Sequence, residues 1–222
     1  NAAQDGDIVI IAQGTYYENL TINKEITLQS SVDFELLEDE DIWYNNEHIQ
    51  NTIINGSVIN DPNKRSCLII RDGDIQPVIR GLTFEGGVGT RMSLGTGCAS
   101  GTERSGGGIL IYDAYPTINY NRFINNGISN ERGRKNSKNG GAIAHYEDAV
   151  VEFDEDRGSA PSSSNNANRT VPGTMDIQNN YFENNSSGNG QDFYSHGFDG
   201  SIDISSSVFA NIDCETNTVN DY

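Results

Sequence analysis

The chain has few cations, cysteines, prolines and tryptophans. Fourteen Lys and Arg face 32 Asp and Glu, for a formal net charge of −18. A surface this acidic repels nucleic-acid phosphates and anionic lipid heads, which argues against both as partners. There is one tryptophan and there are five prolines. The three cysteines, Cys67, Cys98 and Cys214, leave at least one unpaired within the chain. Cys67 sits in the apolar run "CLII" and is expected to be a small buried hydrophobe. Cys98 and Cys214 lie in loop-like sequence, where pairing stays open. No apolar run reaches transmembrane length, so no membrane insertion is expected within this segment. The opening "NAAQDGDIVII" reads like the middle of an element, so a piece of a longer chain is expected. Long helical stripes are missing as well. One short helix is expected in "FELLEDEDIW".

What is present is clustering. Apolar residues make up only 35% of the chain, yet they fall in short runs such as "DIVIIA", "CLII" and "ILIY". A disordered polar chain does not group its apolar residues this way. Glycine, at 24 residues, recurs beside these runs, and asparagine is abundant.

The runs repeat. "TINYNRFINNG" places Ile118, Asn121, Phe123 and Asn126 in a pattern that "DIQNNYFENNS" repeats with Ile177, Asn180, Phe182 and Asn185. "DISSSVFANID" offers Ile204, Ser207 and Phe209, and "VIRGLTFEGG" offers Ile79, Leu82, Phe84 and Gly87. A companion motif precedes them: "GGGILIYD" at 106–113, "GGAIAHYE" at 140–147, "SCLIIRD" at 66–72 and, more loosely, "NGQDFYSH" at 189–196. Each unit reads as a strand, a turn, a second strand ending in Phe, and a loop of variable length. One unit cannot bury its own inward side chains; stacked units align Ile on Ile and Phe on Phe. Ile109, Ile111, Ile118 and Phe123 are expected to point inward. Asparagines at the turns tolerate left-handed backbone and can ladder with the next unit. The expected architecture is a single all-β stack over residues 1–222, interrupted by insertions at 31–51, 86–107 and 148–173.

These repeats resemble the right-handed parallel β-helix of the pectin-lyase-like superfamily. The likeness is closest to the repeats of secreted bacterial surface proteins and polymorphic outer-membrane proteins. "AAQDGDIVIIAQGTYYENLTINKEITLQS" is similar to that superfamily's first coils. The resemblance implies a single-stranded solenoid with long loop insertions, at an extracellular or cell-surface location of bacterial type. It does not specify an activity, because the same coils serve lyases, hydrolases, adhesins and spacers.

Three sets of residues are candidates for chemistry. Aligning the units places Asp72, Asp113 and Glu147 in one column just after the first strand, beside Arg71, Tyr112 and Tyr146. Carboxylates that close would be relieved by a calcium ion or a basic group between them. Arg71, His145 and Tyr146 form a second set, as acid–base groups on a sugar-binding face. Against this, His145 takes the place of the inward Ile111, which points to a buried or edge histidine. His196 shows no sequence partner. A pair of carboxylates, Asp192 and Asp203, is a third and more remote set, for glycosidic chemistry. Tyr112 and Asp113 are the binding candidates within the repeat that begins at 106. Tyr16, Tyr17, Trp43, Tyr44, Tyr115 and Tyr120 join them as stacking platforms or as coil cover.

The preferred expectation is a non-catalytic extracellular or cell-surface β-helix module: a stalk, an adhesin segment or a subunit of a surface assembly. It requires no cofactor, and calcium and extracellular polysaccharide are its expected ligands if it has any. The alternatives are a polysaccharide lyase cleaving an acidic glycan by β-elimination, and a fibre subunit that self-associates through its coil ends.

Overall fold

The computed structural model describes residues 3–37, 42–58, 60–71, 75–92, 103–128, 137–147 and 173–210. Their regular structure is mostly β, in mostly parallel sheets with only short helical turns, as the repeat pattern predicts. The chain runs in successive circuits. The first holds β1 (Ile8–Ile11), β2 (Gly14–Tyr17) and β3 (Leu20–Ile22); the second holds β4 (Thr27–Ser30), β5 (Thr52–Asn55) and β6 (Leu68–Ile70). The third holds β7 (Val78–Arg80), β8 (Thr83–Glu85), β9 (Thr90–Met92), β10 (Glu103–Ser105) and β11 (Ile109–Tyr112). The fourth holds β12 (Thr117–Asn119), β13 (Arg122–Ile124), β14 (Ser137–Asn139) and β15 (Ile143–Tyr146). The fifth holds β16 (Thr174–Asp176), β17 (Tyr181–Glu183), β18 (Ser187–Asn189) and β19 (Phe193–His196). A sixth begins with β20 (Ser201–Asp203) and β21 (Val208–Ala210).

Each of the first five circuits adds one strand to the second sheet and one to the third. The first sheet orders β1-β4-β7-β12, continued by the separate pair β16-β20; the second orders β2-β5-β8-β13-β17-β21; the third orders β3-β6-β11-β15-β19. A smaller sheet, β9-β10-β14-β18, fills the corner between the second and third. Among the described pairings, only β9 with β10 is antiparallel.

Register explains the repeat. Phe84, Phe123, Phe182 and Phe209 lie opposite one another, and their rings stack at centroid distances of 5.3, 5.2 and 4.9 Å. Ile79 lies opposite Ile118 and Leu28. Ile109, Ile111, Ile118 and Phe123 are all fully buried in one core cluster that spans the circuits, as expected. Alternation along each strand sends one residue inward and the next outward.

The asparagines form two ladders that the motif only hinted at. In the first, Asn121 Oδ1 accepts from the Leu82 N–H at 3.1 Å and Asn180 Oδ1 accepts from the Asn121 N–H at 3.1 Å. Ser207 Oγ then accepts from the Asn180 N–H. In the second, Asn126 Oδ1 accepts from the Gly87 N–H and Asn185 Oδ1 from the Asn126 N–H. Each amide also donates to a carbonyl of the circuit before it, Asn126 to Phe84 and Asn185 to Phe123. The corner N–H and C=O groups, which cannot join a strand ladder, are satisfied in this way. The left-handed residue is the one before the rung: Tyr120, Asn125, Asn179, Asn184 and Ser206 have φ between 52° and 57°. Turn asparagines thus take both expected roles, divided between neighbours: Asn125, Asn179 and Asn184 are left-handed, and Asn121, Asn126, Asn180 and Asn185 form the ladders.

A correction concerns the third copy of the companion motif. Ile109, Ile143 and Phe193 are register partners, so Gly106 and Gly140 correspond to Gly190 and the copy spans 190–197, not 189–196. All three glycines have φ near +60°. The neighbouring Gly107 has no room for a side chain: a Cβ there would lie 2.3 Å from the Gly141 carbonyl oxygen.

The excursion between β4 and β5 contains α1 (Phe34–Leu37), a 3-10 turn at Trp43–Asn45 and α2 (Glu47–Gln50). It folds against the outer corner between the first two sheets. Phe34 and Trp43 meet Tyr120, Tyr44 stacks on Tyr181 at 4.7 Å, and the Arg80 guanidinium lies 4.1 Å from the Phe34 ring centre. The expected helix is therefore a single turn among the described residues. Cys67 is fully buried, and burial pushes its thiol up to about 12. Cys98 and Cys214 lie outside the described residues, as do 93–102 and 148–172 within the predicted insertions.

Candidate functional site at the ends of the third sheet

The third sheet collects nearly all the predicted chemistry at the ends of β6, β11, β15 and β19. Its central strands are also buried on both faces: all residues of β6, β11 and β15 are buried, while His196 at the end of β19 is exposed. The inner face carries one column of register partners, Ile22, Ile70, Ile111, His145 and Ser195. The next residue along each strand turns outward. There Tyr112 pairs with Tyr146 and Tyr146 with His196, while Arg71 follows β6. The Arg71 Nη1 donates to Tyr112 Oη at 3.4 Å.

One step of sequence therefore splits the predicted acid–base trio. Arg71 and Tyr146 stand on the outer side and His145 on the inner side, with the sheet between them. His145 and Tyr146 are fully buried and Arg71 is 9% exposed. The shared sugar-binding face expected for the three is not formed, because adjacent strand residues point to opposite faces. The alternative expectation for His145, an inward histidine in the place of Ile111, is what the structure contains.

Each face has its own polar network. Outside, the Tyr146 hydroxyl lies 2.8 Å from Ser105 Oγ and accepts from Asn139 Nδ2 at 2.8 Å; Asn189 Nδ2 donates to Asn139 Oδ1. These contacts tie the third sheet to the corner sheet. Inside, His145 Nδ1 lies 3.1 Å from Ser195 Oγ, and its Nε2 lies 3.9 Å from a Glu147 carboxylate oxygen. The Tyr115 hydroxyl donates to the other Glu147 oxygen at 2.5 Å, and the Phe198 ring sits edge-on to the imidazole at 5.5 Å. Serine, histidine and glutamate thus come together as a buried polar knot. Ser195 is 2% exposed, so a substrate has no path to its hydroxyl in this conformation.

Asp113 and Glu147 follow the strands as the sequence alignment predicts. The Asp113 N–H donates to the Tyr146 carbonyl, and the Glu147 N–H donates to that of His196. Asp113 is left-handed, with φ 51°, and buried. Asp72, the third member of the predicted calcium column, lies outside the described residues. Among the described residues no group of three or more His, Cys, Asp or Glu side chains is arranged to hold a metal.

Asp192 and Asp203 have opposite environments. Asp192 is 6% exposed, and burial pushes its carboxyl up to about 6, with a hydrogen bond from Asn185 acting the other way. Asp203 sits at the surface, its carboxyl lowered by the backbone N–H and then the side chain of Ser205. Of the predicted stacking platforms, Trp43, Tyr112, Tyr115 and Tyr146 are buried, while Tyr17 is 61% exposed.

Sequence reasoning missed Ser195 and Tyr115 as partners of His145. The one-residue slip in the third copy places Ser195 opposite Tyr112, on the outer face. A strict match of its single glycine, Gly190, to Gly106 and Gly140 would have brought Ser195 under His145. The chain matches no protein-family model, no curated protein and no solved structure.

Proposed function

We propose that the chain is a right-handed parallel β-helix whose role is structural: a non-catalytic extracellular or cell-surface module that spaces, presents or assembles other parts. One observation carries this reading. The residues best suited to acid–base chemistry, Arg71, His145 and Tyr146, are buried on opposite faces of one sheet. A base for β-elimination must come within hydrogen-bond reach of the sugar proton, about 2.6–3.2 Å. Residues locked in core and corner networks do not meet that need. The circuit-by-circuit addition of strands, the phenylalanine stack and the asparagine ladders support the β-helix assignment. The test is a panel of pectate, alginate and glycosaminoglycans, with and without calcium, followed by absorbance of unsaturated uronates. No product is expected. Product formation that disappears in Arg71→Ala would overturn the structural role in favour of a lyase. The calcium arm also tests whether Asp113 and Glu147 hold the ion, read as a calcium-dependent rise in melting temperature lost in Asp113→Asn.

A second reading, end-to-end self-association, is favoured by the first circuit. β1, β2 and β3 are edge strands of their three sheets among the described residues, and Ile8, Ile10 and Tyr17 are each more than 60% exposed there. Exposed parallel edges with apolar side chains invite further strands. Sedimentation over a wide concentration range separates the two: mass growth abolished by Ile10→Lys supports assembly, and a constant monomer mass removes it.

A further inference from the structure

The inner corner between the corner sheet and the third sheet carries one column of small residues. Cys67, Gly108, Ala142 and Asp192 immediately precede the partners Leu68, Ile109, Ile143 and Phe193. The corner is tight: a Cβ on Gly108 would lie 2.8 Å from both the Ala142 carbonyl oxygen and the Phe123 ring. A carboxylate at the top of such a column has no space for its own hydration shell. Asp192 Oδ1 accepts from Asn185 Nδ2 at 2.9 Å. That amide is already engaged, since it also donates to the Phe123 carbonyl while its Oδ1 holds the Asn126 N–H.

Among the described residues no charged neighbour shifts Asp192; burial is the larger influence on its protonation and the Asn185 hydrogen bond the smaller. On β15, the titratable His145 stands three residues beyond Ala142 and is bonded to Ser195. On β17, Glu183 lies one residue past the inward Phe182 and so faces outward. Cys67 lies three circuits below as a neutral thiol. The strands flanking Asp192 are both edge strands among those described, as β1, β2, β3, β9 and β21 also are. Among the described strands, β18 pairs only with β14 and β19 only with β15. Separating either breaks one ladder rather than two.

We propose that Asp192 is a proton-operated latch on the fifth circuit: protonated, it lets the corner between β18 and β19 close, and ionised, it loosens that corner while the inner circuits stay shut. The sign follows from linkage. The carboxyl binds its proton more tightly in the closed corner than in the opened one, where it returns from about 6 to its ordinary value of 3.8. The stabilisation is complete below pH 3.8 and is lost as pH rises through about 6. A shift of about two pH units corresponds to an opening equilibrium that grows up to about a hundredfold across that window.

Two measurements on the full chain test it. Side-chain carboxyl NMR of the wild-type protein should find Asp192 titrating well above the other aspartates; an ordinary midpoint overturns the proposal. Amide exchange, corrected for the intrinsic pH dependence, should show protection of β18 and β19 falling at least tenfold between pH 4.5 and 7.5, with β8 and β13 changing little. In Asp192→Asn, which keeps an acceptor for Asn185, that differential should vanish. Equal loss in all four strands, or a differential that persists in the variant, overturns it. If the variant does not fold, the wild-type titration and exchange still decide.

Discussion

The first three circuits and the next two are built on the same columns but fill them differently. On the inner face of the third sheet, Ile22, Ile70 and Ile111 give way to His145 and Ser195. At the corner, Cys67, Gly108 and the fourth circuit's Ala142 give way to Asp192 only in the fifth. Leu82 and Gly87 give way to the rungs Asn121 with Asn180 and Asn126 with Asn185. The phenylalanine column runs unchanged from Phe84 through Phe209, as does the isoleucine of the same repeat at Ile79, Ile118, Ile177 and Ile204. An apolar column is satisfied by any neighbour of suitable volume, whereas a polar one needs a partner at bonding distance. The early circuits hold polar contacts elsewhere, such as Ser66 with Thr90 and Thr83 with the Ile49 carbonyl. At these columns, however, they are filled by packing, and the later circuits by packing plus a specific set of hydrogen bonds. That second requirement makes the later circuits the place where protons can act.

The largest test of this contrast strikes what the two regions share. Phe123→Ala removes the middle ring of the stack, and with Phe84 and Phe182 held by their own circuits the cavity cannot collapse. Denaturant unfolding should show a loss of about 3–5 kcal/mol. A loss under 1 kcal/mol would mean that the column does not join the two regions. Asn126→Ala comes next. It leaves the buried Gly87 N–H and Phe84 carbonyl without their side-chain partner, at about 1–3 kcal/mol for an orphaned buried group. Limited proteolysis should then cut first after residue 126, and uniform cutting would blur the distinction between the regions.

Tyr146→Phe is milder. It keeps the ring and removes the hydroxyl shared by Ser105 and Asn139, so about 1 kcal/mol of stability should go. The smallest effect is expected in the apolar region. Cys67, with its thiol pushed up to about 12 by burial, should resist alkylation at pH 8 in the folded protein and react fully in denaturant. The thiolate is the reactive form, and burial denies it both charge and access. Rapid native labelling would show that the early circuits open as readily as the later ones.

Much of the architecture was legible in the residue pattern. The spacing of Ile118, Asn121, Phe123 and Asn126 recurs because parallel strands stacked in register place like above like. The inward set and the buried Cys67 follow from the same rule. The candidate site was legible only by type. Arg71, His145, Tyr146, Asp113 and Glu147 do gather at one end of one sheet, but their division between two faces depends on single-residue phase. The slip in the 190–197 copy shows how readily that phase is lost when one glycine of a pair is missing. The corner sheet, with its one antiparallel pairing, had no recurring motif, since its strands TRM, ERS, SKN and SGN share no apolar position. The packing of the 31–51 excursion against Tyr120 and Tyr181 joins residues far apart in sequence, so no local pattern announced it.

The sequence by itself determined an all-β chain of repeating short strands, a formal net charge of −18, and an Ile–Phe interior. Each of these is a consequence of composition and period, which a single unit already displays. Tertiary structure decided which asparagines became rungs and which turned the chain. It also decided that the centre of the third sheet is covered on both faces and that His145 meets Ser195 and Glu147, not Arg71. Those outcomes rest on which residue of one circuit lies against which residue of the next. Such contacts exist only once the circuits have stacked.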